Sequence, residues 1–175
     1  VRKHEGQIRV ESISGQGTVF HIYLPAARDA AAPAQRNESR QRQISFQTRR
    51  VLVMDDELPI RKLAVELLQR IGGTATPAAD GEEAIGLYEQ ARKKGQPFDA
   101  VIMDLTVPNG MGGKETIPQL KVIEPGVRAI VSSGYSNDPV MANYRDYGFA
   151  GVVPKPYNTE DLAAALDELF SGKDE

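Results

Sequence analysis

Four side chains stand where a chain of this kind does its chemistry. Asp55 and Asp56 close the apolar run Val51-Leu52-Val53-Met54, Asp104 closes Ala100-Val101-Ile102-Met103, and Lys155 follows Gly151-Val152-Val153-Pro154. Short unbroken apolar runs suit parallel strands covered on both faces, and an open α/β sheet holds its ligands beyond the carboxyl ends of such strands. After Asp104, the proline, asparagine and glycines of Pro108-Asn109-Gly110-Met111-Gly112-Gly113 forbid a regular continuation. Three carboxylates gathered at strand ends repel one another and raise each other's pKa unless a cation joins them. Lys155 offers one fixed charge, and an all-oxygen site suits a hard divalent ion that keeps several waters. Taken singly, each residue has an ordinary use: Asp56 caps a helix, Lys155 before Pro156 is a surface residue, Ser133-Gly134 is a turn and Thr106 faces solvent. Their coincidence at four strand ends is what argues for a site.

The elements that must position these groups follow from periodicity. After Asp56, Pro59 suits a helix's first turn. Ile60, Leu63, Ala64, Leu67, Leu68 and Ile71 then share one face until Gly72-Gly73 stops the helix. A weak strand is expected over 74–77. Asp80, with Glu83 three residues on, is an N-cap for a helix carrying Ala84, Ile85, Tyr88 and Ala91. A helix from Gly113 turns Ile117 and Leu120 inward, with Pro118 in its early turns, and a strand is expected over 127–132. Asp138-Pro139 opens a fourth helix through Val140, Met141, Tyr144 and Tyr147. Asn158 or Thr159 caps a last helix with Leu162, Ala165, Leu166, Leu169 and Phe170 inward. Five βα units with short loops specify a flavodoxin-like α/β fold, a doubly wound parallel sheet of order 2-1-3-4-5.

Composition narrows the function classes. The chain has 175 residues, 41% of them hydrophobic and 26% charged, and a net charge of −3 that gives no general basis for binding nucleic acid. The absence of cysteine excludes disulfides and thiolate metal sites and suits a cytoplasmic protein. Two histidines are too few for a histidine-based metal site. No apolar run approaches the roughly 20 residues that span a bilayer, so no membrane contact is expected. Nothing long enough for a DNA-binding output domain follows Glu175, which disfavours a transcriptional regulator.

Ahead of the βα units, residues 1–27 form a hairpin. Ile8, Val10 and Ser12 alternate with polar neighbours, a second strand holds Val19 and Tyr23, and Ser14-Gly15-Gln16-Gly17 turns between them. Residues 28–48 show no apolar periodicity and are expected to be a flexible linker. Their arginines lack interleaved aromatics, so a solvated tether is favoured over a nucleic-acid arm.

Residues 49–171 resemble the receiver domain of two-component response regulators, on Asp55-Asp56, Asp104, Ser133-Gly134-Tyr135 and Lys155-Pro156. The resemblance implies that Asp104 is the phosphoryl acceptor and a metal ligand. It implies that Asp55, Asp56 and the backbone carbonyl of Thr106 help hold Mg²⁺, that Ser133 is the switch hydroxyl, with Ser132 the alternative, and that Lys155 pairs with the phosphoryl group. Gly15-Gln16-Gly17-Thr18-Val19-Phe20-His21-Ile22-Tyr23-Leu24-Pro25 resembles the last glycine box and closing strands of a histidine-kinase ATP-binding domain. Gly15 and Gly17 would then be vestigial lid glycines, since the earlier glycine boxes, the asparagine box and the donor histidine are missing. His4-Glu5 is followed at once by Gly6 and strand residues, which excludes a phosphorylated helix there. The resemblance implies the end of a hybrid sensor kinase: kinase remnant over 1–27, linker over 28–48, receiver over 49–175. Its partners would be a histidine-kinase core, upstream or separate, and a histidine phosphotransfer protein. The fragment itself would catalyse only its own aspartyl phosphorylation and dephosphorylation. Two alternatives stand beside this: an interaction module whose pocket is never phosphorylated, and an aspartyl-phosphate hydrolase, which Thr106 disfavours where such enzymes place a second acid. Val152 stands where receivers often carry an aromatic, so the readout is expected to run through Tyr135 and the fourth helix instead, and Lys155–Pro156 is a candidate cis bond.

Overall fold

The computed structural model describes residues 5–25, 49–108, 110–134 and 138–171. The linker over 28–48, His4 and Tyr135, each named above, lie outside the described residues. The chain divides into two units, Val1–Arg42 and Gln43–Glu175. In the first, β1 (Gln7–Ile13) and β2 (Gly17–Tyr23) pair antiparallel, with Ile8 opposite Ile22 and Val10 opposite Phe20. The N–H of Gln16 donates to the carbonyl of Ile13 at 3.0 Å to close the turn. Gly15 and Gly17 have φ of 78° and 109° there, a region that favours glycine.

The second unit is a five-stranded parallel sheet formed by β3 (Arg50–Met54), β4 (Thr74–Ala78), β5 (Ala100–Asp104), β6 (Ala129–Ser133) and β7 (Gly151–Pro154). The spatial order β4-β3-β5-β6-β7 is the expected 2-1-3-4-5. Helices α1 (Leu58–Arg70) and α5 (Thr159–Ser171) cover one face, where Val51, Val53, Ile102 and Ile130 meet Leu68, Leu162 and Leu166. Helices α2 (Gly81–Lys93) and α3 (Gly113–Ile123) cover the other, where Leu52, Val101, Met103 and Val131 meet Tyr88, Ile117 and Leu120. Alternate residues of each strand thus feed opposite cores, which is why the strands read as unbroken apolar runs.

The caps agree with the sequence. Asp80 accepts from the N–H of Glu83 at 2.9 Å, while the Glu83 carboxylate reaches back to the N–H of Ala79 at 2.7 Å. Asn158 caps α5 in a reciprocal box with Asp161, at 2.9 and 3.1 Å. Lys155–Pro156 is cis.

Three details differ. Helix α4 is a single turn, Pro139–Ala142, so Tyr144 and Tyr147 lie in the turns that follow it. Asn143 leaves the helical region at φ −121°, its side chain bonds the carbonyl of Pro139 at 3.2 Å, and i→i+3 bonds take over through Gly148. The N–H of Asn143 completes the helix ladder to that same carbonyl at 3.0 Å, so its side chain adds a second donor at the helix end. Leu63, expected inward, is 40% exposed, because the stripe that meets the sheet is centred on Ala64, Leu67 and Leu68. The fourth strand of the sheet begins at Ala129 rather than 127, since the N–H of Val127 is engaged with the carbonyl of Glu124 in a turn.

Candidate functional site

The ends of β3, β5, β6 and β7 converge because parallel neighbours in register finish together: Met54 lies opposite Met103, Asp104 opposite Ser132, and Ser133 opposite Pro154. Each strand therefore delivers its next polar residue to the same edge. The ammonium of Lys155 lies 2.5 Å from Asp55 Oδ2 and 2.7 Å from Asp104 Oδ2, and its side chain is only 11% exposed. Carboxylate oxygens of Asp55, Asp56 and Asp104 all lie within 4.8 Å of one another, Asp55 and Asp104 buried and Asp56 exposed. Asp56, Asp104, Thr106, Ser133 and Lys155 line one cleft of about 450 Å³, together with Glu57, Pro108 and Gly134.

Electrostatics follows from this geometry. Burial pushes the Asp104 carboxyl above its ordinary range; the hydrogen bond and charge of Lys155 pull it back, and Asp55 adds to the rise. Burial acts to lower Lys155, but its bonds to Asp104 and Asp55 outweigh that and hold the ammonium above its usual value. The lysine is thus a charged resident among three acids. A cation already sits where the carboxylates meet, and the donors are all oxygen, so the residues present fit a hard divalent ion.

Backbone contacts fix the loops. Asp55 Oδ1 accepts from the N–H of Glu57 at 2.9 Å, and Asp104 Oδ1 from the N–H of Thr106 at 3.4 Å. The N–H of Leu105 donates to the carbonyl of Ser132 at 2.8 Å, and that of Lys155 to Ser133 at 2.9 Å. The two serines differ: Ser133 lines the cleft, whereas the Ser132 hydroxyl is buried and makes no hydrogen bond among the described residues. Gly15 and Gly17 belong to the other unit, where their geometry is that of a hairpin turn.

Two residues that pattern alone does not single out join the site. Tyr157, two positions after Lys155, is buried in the α1/α5 core; burial raises its pKa, and the charges of Asp55 and Asp104 raise it further. Arg61, in the first turn of α1, donates to the backbone carbonyls of Asp55 and Asp56. An arginine one helical turn beyond an acidic strand end is the signal that could have found it.

Residues 51–167 match the family described as the response regulator receiver domain. The sensor kinase CckA of Brucella abortus is 29% identical over 180 residues, covering 99% of this chain. The chain spans only 19% of that kinase's length. Sporulation initiation phosphotransferase F of Bacillus subtilis is 26% identical over 69% of this chain and 93% of its own. Among solved structures, the Vibrio cholerae chemotaxis protein CheY4 superposes with a TM-score of 0.62 at 27% identity, over 70% of this chain and 98% of that one.

Proposed function

The chain belongs to the response regulator receiver domain family, and from that premise we propose that Asp104 accepts a phosphoryl group from a phosphohistidine in a two-component phosphorelay. One observation carries the assignment of roles: a lysine ammonium held between Asp55 and Asp104, with Asp56 beside them, at the carboxyl edge of the sheet.

An oxygen of Asp104 attacks phosphorus in line. The O–P bond forms as the donor's N–P bond breaks, and the electron pair returns to the imidazole nitrogen. Lys155 turns from its carboxylate partners to an oxygen of the arriving phosphoryl group, as a compact point charge. Ser133 donates its hydroxyl to another phosphoryl oxygen, which links the covalent event to the loop that follows β6. Asp55, Asp56, Asp104 and the carbonyl of Thr106 would hold Mg²⁺. When bound, that ion polarises the phosphoryl oxygens and offsets the crowded negative charge.

The alignment with a sensor kinase across 99% of the chain supports a wider assignment. In it, residues 1–27 are the end of a kinase ATP-binding domain, 28–48 a linker and 49–175 the receiver. The phosphoryl group comes from a histidine-kinase core of the same or another chain and passes on to a histidine phosphotransfer protein, in the cytoplasm. Gly15 and Gly17 are then remnants of a nucleotide lid with no nucleotide to hold.

Incubation with acetyl phosphate and Mg²⁺ tests the central claim. The wild type is expected to gain a base-labile, hydroxylamine-sensitive phosphoryl group, and Asp104→Asn to gain none. Equal labelling of the variant would refute Asp104 as acceptor. A wild type that stays unlabelled would instead favour a pocket used only for binding.

A further inference from the structure

Asp55 and Asp56 hold their carboxylates in different ways. Asp55 is anchored at several points: its N–H donates to the carbonyl of Ala78 at 3.1 Å, Oδ1 accepts from Glu57, and Oδ2 meets Lys155. The exposed carboxylate of Asp56 makes no hydrogen bond or ion pair among the described residues. Its place beside the other two acids is therefore set by the backbone that carries it. The guanidinium of Arg61 grips that backbone. Its Nη1 donates to the carbonyl of Asp55 and, at 3.1 Å, to that of Asp56. Arg61 is held in turn: it stands in the first turn of α1, and its own N–H donates to the carbonyl of Glu57 at 2.9 Å.

We infer that Arg61 is a positioning residue, which fixes the loop between β3 and α1 so that the carboxylates of Asp55 and Asp56 are set for a divalent cation. The inference rests on the metal reading above. Two carbonyls held by one side chain leave the loop little freedom to swing Asp56 outward, and the rigid planar head of arginine suits that task better than a lysine ammonium. Contacts one shell away from a metal commonly govern its affinity.

The sign of the effect separates positioning from charge. Arg61 is a cation next to an acidic cluster. On Coulomb grounds alone its removal makes the site more negative and tightens Mg²⁺. Loss of positioning does the opposite.

The full chain would be titrated with Mg²⁺ alone, by calorimetry and by the shift of thermal midpoint, in the wild type, Arg61→Met, Arg61→Lys and Lys62→Met. Arg61→Met is expected to weaken Mg²⁺ about tenfold or more. Arg61→Lys, which keeps the charge, should fall between it and the wild type, and the exposed Lys62 should be replaceable without effect. At saturating Mg²⁺, labelling of Arg61→Met by acetyl phosphate should return to the wild-type rate, so that the metal requirement rises while the maximal rate is kept. Wild-type or tighter binding by Arg61→Met would overturn the inference. If that variant does not fold, wild-type affinity in Arg61→Lys would overturn it equally. Asp56→Asn completes the set: a wild type that fails to bind Mg²⁺ saturably, like Asp56→Asn, condemns the metal reading itself, whereas a responsive wild type with an indifferent Arg61→Met condemns only the role of Arg61.

Discussion

At the scale of single residues, the site is a balance between burial and pairing. Asp104 is the member on which the two conflict: burial, with the charge of Asp55, raises its carboxyl more than Lys155 lowers it. A carboxyl whose pKa is higher folded than unfolded favours the folded state while it is protonated. That contribution is fully present below the unfolded carboxylate pKa of about 4 and is lost as pH rises through the raised folded value. Lys155, held above its ordinary value, stays charged across that window and adds no slope. With Mg²⁺ removed by chelation, Asp104→Asn should therefore gain stability relative to the wild type as pH rises from about 4 to 7. Thermal midpoints in a pH series measure this, and a difference independent of pH would contradict it. The same scale shows what sequence can and cannot give. Asp55, Asp56, Asp104 and Lys155 are legible because each ends an apolar run. Tyr157 is not, because its coupling to Asp55 and Asp104 depends on a fold across the sheet edge rather than on local pattern. Arg61 acts on carbonyls, so its place one helical turn beyond the acidic strand end is all that marks it in the sequence.

At the scale of elements, the turn between β5 and α3 decides how closely a helix can approach Asp104. A Cβ on Gly113 would lie 2.9 Å from the carbonyl oxygen of Asp104 and 3.3 Å from Met103 Cβ, and one on Gly112 would strike the carbonyl of Leu105. These glycines are present for close approach, since α3 starts directly against the strand end that carries Asp104. Gly113→Ala should push the helix start away and destabilise the fold by about 1–3 kcal/mol, the usual range for overpacking. Urea denaturation checks the magnitude, and an unchanged midpoint would mean that the turn yields without strain. Sequence announced these glycines only as breakers of regular structure; that they admit a helix against a carbonyl is a tertiary fact. Helix α4 teaches the converse. The apolar spacing of Val140, Met141, Tyr144 and Tyr147 is helical, yet the ladder ends at Ala142. Tyr144 and Tyr147 still pack on the core from the turns beyond, as Val152 does from β7. The burial was legible and the backbone path was not, because one Asn side chain bond and a run of i→i+3 bonds serve the same buried face.

At the scale of the whole molecule, the two units differ in what holds them. In the central strands β3, β5 and β6 of the second unit, every residue but Arg50 is buried, and the backbone pairs on both sides. The first unit is a two-stranded ladder in which Ile8, Val10, Phe20 and Ile22 are each at least half exposed. Its cross-strand apolar pairs, Ile8 with Ile22 and Val10 with Phe20, contribute about 0.2–1 kcal/mol each. The Ser12–Thr18 hydroxyl bond at 2.8 Å and the exposed Arg9–Glu11 pair at 3.3 Å add little in water. Two-stranded hairpins are marginal at best under such conditions, and local stability follows the density of buried contacts. Amides across Ile8–Val10 should therefore exchange near the rate of an unstructured chain, while those of β5 exchange only through global unfolding. Hydrogen-exchange mass spectrometry on the 175-residue chain resolves the two. Protection in the hairpin equal to that in β5 would show that its apolar face is covered in solution, and it would then have to vanish when Phe20 or Ile22 is replaced by a charged residue.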